Sequence, residues 1–110
     1  MQYSVNHDEK IKQFIIQLDP NDESVIANLT YQFENHTVSG KETKIVNLLS
    51  TNVPKDQEGK GIAKILANAA FEYCATNNLH MKLTCWYLEG YLKRNPSPRY
   101  NHLIFEQTNL

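Results

Sequence analysis

The chain holds only two cysteines, Cys74 and Cys85, and neither sits in the paired spacing of a disulfide framework or a zinc site. No metal ligand set is therefore expected. Glycine and proline number four each and are scattered, so there is no low-complexity tract, linker or internal repeat. No segment approaches the roughly 18 apolar residues of a membrane span, and Met1 to Lys10 is polar, without the apolar core of a secretory signal. An intracellular, soluble, cytoplasmic protein without a membrane partner is the expectation. The sequons at Asn28 and Asn35 are then chance matches to the glycosylation pattern. Charge of one sign is also lacking: a net charge of -1 offers no broad basic surface, which excludes nucleic acid as an electrostatically favoured partner. At 110 residues the chain is expected to form one domain over 1–110, with no room for a separate substrate domain.

Against this plain background, Glu58-Gly59-Lys60-Gly61-Ile62-Ala63 stands out. Two glycines let a backbone bend into conformations closed to other residues, and the helix that begins there points its unpaired N–H groups and positive dipole end into the turn. Such a loop is suited to an anion. It is not a P-loop, because Lys60 is followed by Gly61 and Ile62 and not by a hydroxyl that could hold magnesium. Nor is it a dinucleotide fingerprint, since Lys64 stands where the third glycine belongs.

The surrounding pattern is that of a sheet with a crossover. Phe14, Ile16 and Leu18 alternate with polar neighbours up to a turn at Asp19-Pro20-Asn21-Asp22. Val25, Ala27, Leu29, Tyr31 and Phe33 alternate in the same way, predicting a strand with one buried face, followed by a polar hairpin from Glu34 to Glu42. Ile45 to Val53 is apolar on both faces, as a central strand would be, and Pro54 ends it. Ile62, Ile65, Leu66, Ala69, Ala70 and Tyr73 form one stripe of a helix that should cover the sheet. Met81 to Cys85 reads as a short strand, and Trp86 to Arg94 as a second helix halted by Asn95-Pro96. Strand, helix, strand in this order implies a right-handed crossover between parallel neighbours.

Thr51-Asn52-Val53-Pro54, Gly59-Lys60-Gly61-Ile62-Ala63, Leu83-Thr84-Cys85-Trp86-Tyr87 and Asn95-Pro96 together resemble the smallest GNAT-type acetyltransferases, the short single-domain N-acetyltransferase-domain proteins of animals. The resemblance covers roughly Ile45 to Tyr100, and the Leu-Thr-Cys-Trp-Tyr string is its most specific part. It implies an α/β (α+β) domain with a mixed, mostly antiparallel sheet, a parallel splayed strand pair and a crossover helix. It also implies acetyl-CoA as cofactor, with the coenzyme A pyrophosphate on the glycine loop and the pantetheine between the splayed strands. By that carry-over the cofactor site is Asn52, Val53, Glu58, Gly59, Lys60, Gly61, Ile62, Ala63, Cys85 and Asn95. The activity implied is direct acetyl transfer from the small-molecule acyl-CoA to a primary amine acceptor. The alternative is a catalytically weakened acyl-CoA-binding or protein-interaction module on the same fold. A structural module without a ligand ranks last, because it leaves Gly59 and Gly61 with no purpose beyond a turn.

Two positions depart from the family pattern. Glu58 occupies the slot that the family fills with Arg or Gln; a carboxylate about 5 Å from a phosphate costs on the order of 3 kcal/mol at an effective dielectric near 20. Ser50 stands where many small relatives carry a histidine, so a base is missing there. The other histidines, His7, His36, His80 and His102, are read as surface residues. Cys85 is the remaining catalytic candidate: it closes a strand and opens a helix whose dipole lowers a thiol pKa. Cys74 belongs to a packed helix face. Lys55, Lys60 and Lys64 lie near enough in sequence to neutralise phosphates, Tyr87 and Tyr91 are read as packing before a thiolate-protonating role, and Gly90 marks a close approach of another backbone or ligand.

Overall fold

The computed structural model describes residues 3–105. Its five strands lie side by side in chain order: β1 (Val5–Asp8), β2 (Gln13–Asp19), β3 (Asp22–Val38), β4 (Lys41–Asn52) and β5 (His80–Leu83). The first four are antiparallel and β4 pairs with β5 in parallel, so the mixed sheet with one parallel pair is the one expected. Helix α1 (Ile62–Thr76) makes the crossover, α2 (Trp86–Arg94) follows β5, and a short α3 (Pro98–Asn101) comes last. Beyond α3, Leu103 and Phe105 bond to Met81 and lay a further parallel rung beside β5.

Three elements differ from the sequence reading. β1 was not expected, because only Val5 among its residues is apolar; His7 supplies its inward face instead, stacked on Phe14 at 4.0 Å, edge-on to Tyr73 and 2.7 Å from the Tyr31 hydroxyl. The polar stretch Glu34 to Glu42 is mostly ladder and not loop. Pairing runs on to Val38 and Lys41, and only Ser39 and Gly40 turn, both with the positive φ that a two-residue hairpin demands. Within α1 the buried set is Ile62, Leu66, Ala67, Ala70, Phe71 and Cys74, so the apolar stripe is rotated away from Ile65, Ala69 and Tyr73, which are only half-buried. Burial pushes the Cys74 thiol up to about 12, which leaves it protonated and inert at neutral pH.

The main core lies between α1 and one face of the sheet, where Phe14, Ile16, Leu29, Tyr31, Val46 and Leu48 meet the α1 stripe, Leu88 and Leu92. The other face buries Ile45 and, beside it on β4, a single amide. Asn47 donates to Glu34 at 2.6 Å and accepts from Thr84, while His36 and Gln32 also reach the Glu34 carboxylate. These hydrogen bonds, His36 first, pull the Glu34 pKa down to about 2. α3 is tied to α1 by Arg99 and Tyr100, both bonded to Glu72.

His7 and His36 are thus half-buried, not the surface residues the sequence suggested. Burial depresses the His7 pKa below its usual 6.5, outweighing the opposing pull of Glu9 and Asp8. The unfolded chain therefore takes up this proton first as pH falls. Stability from this site is complete above about 6.5 and declines as the pH drops from there through the folded-state pKa. Between pH 7.5 and 5 the melting temperature of the native chain should fall further than that of His7→Phe; parallel curves would refute the assignment.

Candidate functional site

The site begins with an irregularity in β4. Thr30 pairs with Ser50 but Tyr31 pairs with Leu48, so Leu49 is an extra residue, a β-bulge in the middle of the sheet. A bulge bends its strand and strengthens the local twist. Just there the parallel partner leaves. β5 pairs with β4 only from Ile45 to Leu48, the Thr84 and Cys85 N–H groups both close on the Leu48 carbonyl (3.2 and 3.0 Å), and the chain turns into α2. β4 runs on to Asn52 against β3 alone, so its other edge faces an opening.

That opening continues to the start of α1. One part, about 510 Å³, is lined by Thr51, Asn52, Val53, Glu58, Ala63, Trp86 and Tyr87. The second, about 260 Å³, adds Gln57, Gly59, Gly61, Ile62 and Lys64. Val53, Glu58, Ala63 and Tyr87 belong to both parts, which makes one crevice from the bulged strand to the helix.

Its floor at the helix is built from backbone. Gly61 is the N-cap of α1 at φ 78°, and Gly59 has φ 84°, the left-handed region that a side chain disfavours. A Cβ at either would meet nothing within 4 Å, so the space over both is open. No side chain caps the helix, and the first intrahelical bond is from Ile65 N–H to the Gly61 carbonyl. The N–H groups of Ile62, Ala63 and Lys64 precede that first bond, a donor set suited to an anion.

The predicted site residues fall into three groups. Asn52, Val53, Glu58, Gly59, Gly61, Ile62 and Ala63 line the crevice. Lys60 is in the loop but turns aside, donating to Gln57 Oε1 at 3.0 Å; of the three lysines only Lys64 lines the crevice. Cys85 and Asn95 are not among the lining residues. Cys85 is 6% exposed, caps α2, and its thiol donates to Thr51 Oγ1 (3.6 Å), so it lies behind the wall to which Thr51 belongs. Asn95 closes the far end of α2 by donating to the Tyr91 carbonyl.

No histidine is among the lining residues, and the Ser50 hydroxyl is held by Thr30 at 2.7 Å. Tyr87 is both wall and packing: it lines the crevice and stacks on Tyr91 with centroids 6.1 Å apart. Desolvation raises its pKa above the usual 10, with Tyr91 adding to the shift and Arg94 opposing it, so the hydroxyl keeps its proton at neutral pH. Gly90 does not face a ligand; the Arg94 guanidinium lies over it, 3.0 Å from where a Cβ would be. Sequence reasoning ranked Tyr87 as packing ahead of a channel wall and thiolate-proton donor, and gave Trp86 no role of its own. Its missed signal was that they follow directly on the residue where the parallel strands part.

A bulged strand parted from its parallel neighbour, with a glycine-bent helix start at the opening, is the architecture of the GNAT fold. The chain belongs to the GCN5-related N-acetyltransferase family, whose model matches residues 13–103. Among relatives, the NATD1 protein of Gallus gallus is 40% identical over 96 residues, 87% of this chain and 79% of that protein. The NATD1 protein of Danio rerio is 38% identical over the same shares. The solution structure of a GCN5-like protein from Staphylococcus aureus superposes with a TM-score of 0.65 at 24% identity, covering 96% of this chain and 90% of that one, a likeness of fold. Members of the family typically bind acyl-CoA and an amine acceptor.

Proposed function

We propose that this chain binds acetyl-CoA in the crevice and passes its acetyl group directly to a primary amine. The observation that carries this reading is the coincidence, at one opening, of an unpaired strand edge and an uncapped helix start bent by two positive-φ glycines. The residues present fit the cofactor. The Ile62, Ala63 and Lys64 amides and the Lys64 ammonium suit a diphosphate, and the free edge of β4 at Thr51 and Asn52, continued by Val53, suits the amide-bearing pantetheine arm.

Acetyl-CoA, when bound, supplies a thioester carbonyl for a neutral amine to attack. The chain's own part is to orient and to manage one proton. Tyr87 Oη holds a proton at the crevice wall, available to a leaving sulfur. With no imidazole in the lining, the amine must reach the site already deprotonated.

Ligand at about 100 times its dissociation constant stabilises a fold by about 2.7 kcal/mol, which raises the melting temperature of a domain this size by on the order of 10 °C. Millimolar acetyl-CoA should produce such a rise, and free thiol should then appear with amines present. No rise sinks the reading. A rise without thiol release favours a second reading, a non-catalytic acyl-CoA binder, which Ser50 and Glu58 at the family's histidine and arginine positions support.

A further inference from the structure

β3 outruns its neighbour on one side. Its pairing with β2 ends at Gln13 and Thr30, and the Tyr31 N–H closes on the Lys12 carbonyl at 3.1 Å, yet β3 continues to Val38. Backbone groups alternate sides along an antiparallel strand, so Phe33, Asn35 and Thr37 aim their N–H and C=O groups the way Tyr31 does, past the end of β2, while Glu34 and His36 serve β4. Among the described residues nothing pairs with this edge. An open edge is a template for another strand, and folds usually blunt one with lysine, proline or a bulge. Residues 33–38 contain none of the three.

The edge is bracketed by exposed apolar side chains. Val38 (38% exposed) ends it at the hairpin tip, and Ile11 (54% exposed) precedes Lys12 in the turn between β1 and β2. Its charge pattern is self-complementary as well. Glu34 and His36, the ionisable side chains of 33–37, lie two apart on one face of the strand. An antiparallel copy of the same edge, centred on Asn35, sets Glu34 opposite His36 on both sides of the axis, with Asn35 opposite Asn35 and Phe33 opposite Thr37. A parallel in-register pairing sets Glu34 against Glu34, and a slip by two residues sets Glu34 against Glu34 or His36 against His36. The centred register also carries Val38 of each copy to the level of the other's β1–β2 turn, where Ile11 is exposed. We infer that residues 33–37 are the contact of a symmetric dimer in which a second copy of this chain adds its β3 edge antiparallel to this one, joining the two sheets. The edge lies at the opposite end of β3 from Asn28 and Thr30, which pair with Asn52 and Ser50 beside the crevice. The dimer therefore leaves the crevice open and stands apart from the acetyl-transfer reading. So small a contact belongs among weak, concentration-dependent associations.

Sedimentation between about 1 μM and about 1 mM should show the 12.7 kDa chain giving way to a species of twice that mass. Over the same range, hydrogen exchange at the Phe33, Asn35 and Thr37 amides should slow. Asn35→Pro removes the central outward N–H, which no strand of the single chain uses, so it should fold and dimerise about tenfold more weakly. Val38→Glu should weaken the dimer without touching the backbone, and adding Ile11→Lys should restore it, because the two side chains meet only across the axis. A chain still monomeric at 1 mM overturns the inference and leaves the edge to a strand of a different protein. A dimer that keeps the three amides exchanging as in the monomer, or that is indifferent to both Asn35→Pro and Val38→Glu, overturns it too.

Discussion

Gly61→Ala should weaken acetyl-CoA binding by one to two orders of magnitude and leave a folded domain. The methyl would enter the open space above the helix start, where the structure has no atom within 4 Å, and it would bias the N-cap away from its φ of 78°. Either change disturbs the Ile62 to Lys64 amides, and a hydrogen bond to a charged group contributes about 1.5–3 kcal/mol, so losing one accounts for an effect of that size. Gly40 provides the control. Its φ is 77°, its Cβ would also meet nothing, and it lies at the tip of the β3–β4 hairpin. Gly40→Ala should lose the same modest stability, about 1 kcal/mol, and bind acetyl-CoA normally. Equal affinities for the two variants, measured by calorimetry or thermal shift, would show that the helix start does not touch the ligand.

Tyr87→Phe should lower kcat by about 100-fold with little change in KM, within the range expected when a positioned proton donor is removed. Phenylalanine keeps the stack on Tyr91 and most of the crevice wall, so the substitution removes the hydroxyl and little else. The native hydroxyl is protonated across the neutral range because desolvation raises its pKa. A supply of protons to the departing sulfur from Tyr87 would therefore persist up to alkaline pH. Unchanged kcat would reduce Tyr87 to a wall residue.

How much of this was legible in the residues depends on which force shaped each part. The sequence from β4 through α1 to β5 was readable because burial on one or both faces writes an apolar period into the chain, and because Gly59 and Gly61 answer a backbone demand that no other residue meets well. β1 was not, since a four-residue edge strand is held by backbone pairing and by His7 acting as an aromatic. The polar hairpin failed for a related reason: Asn35, His36 and Thr37 extend the ladder without burying an apolar face, and the turn signal had shrunk to Ser39-Gly40. At the site, the loop and the Asn52-Val53 edge were visible. The place of Cys85 behind Thr51 was not, and a wall role for Tyr87 was ranked below packing, because both follow from where β5 abandons β4, a tertiary event with no local period.

The extra residue in β4 also resets a phase. Val46 and Leu48 point toward α1; strict alternation would continue with Ser50 and Asn52, yet beyond Leu49 it is Thr51 that pairs with the buried Leu29 and receives the Cys85 thiol. A single inserted amino acid thus works like a vernier slipped by one mark, deciding which half of the Ser50-Thr51-Asn52-Val53 string shares a side with the helix and which half is handed to solvent.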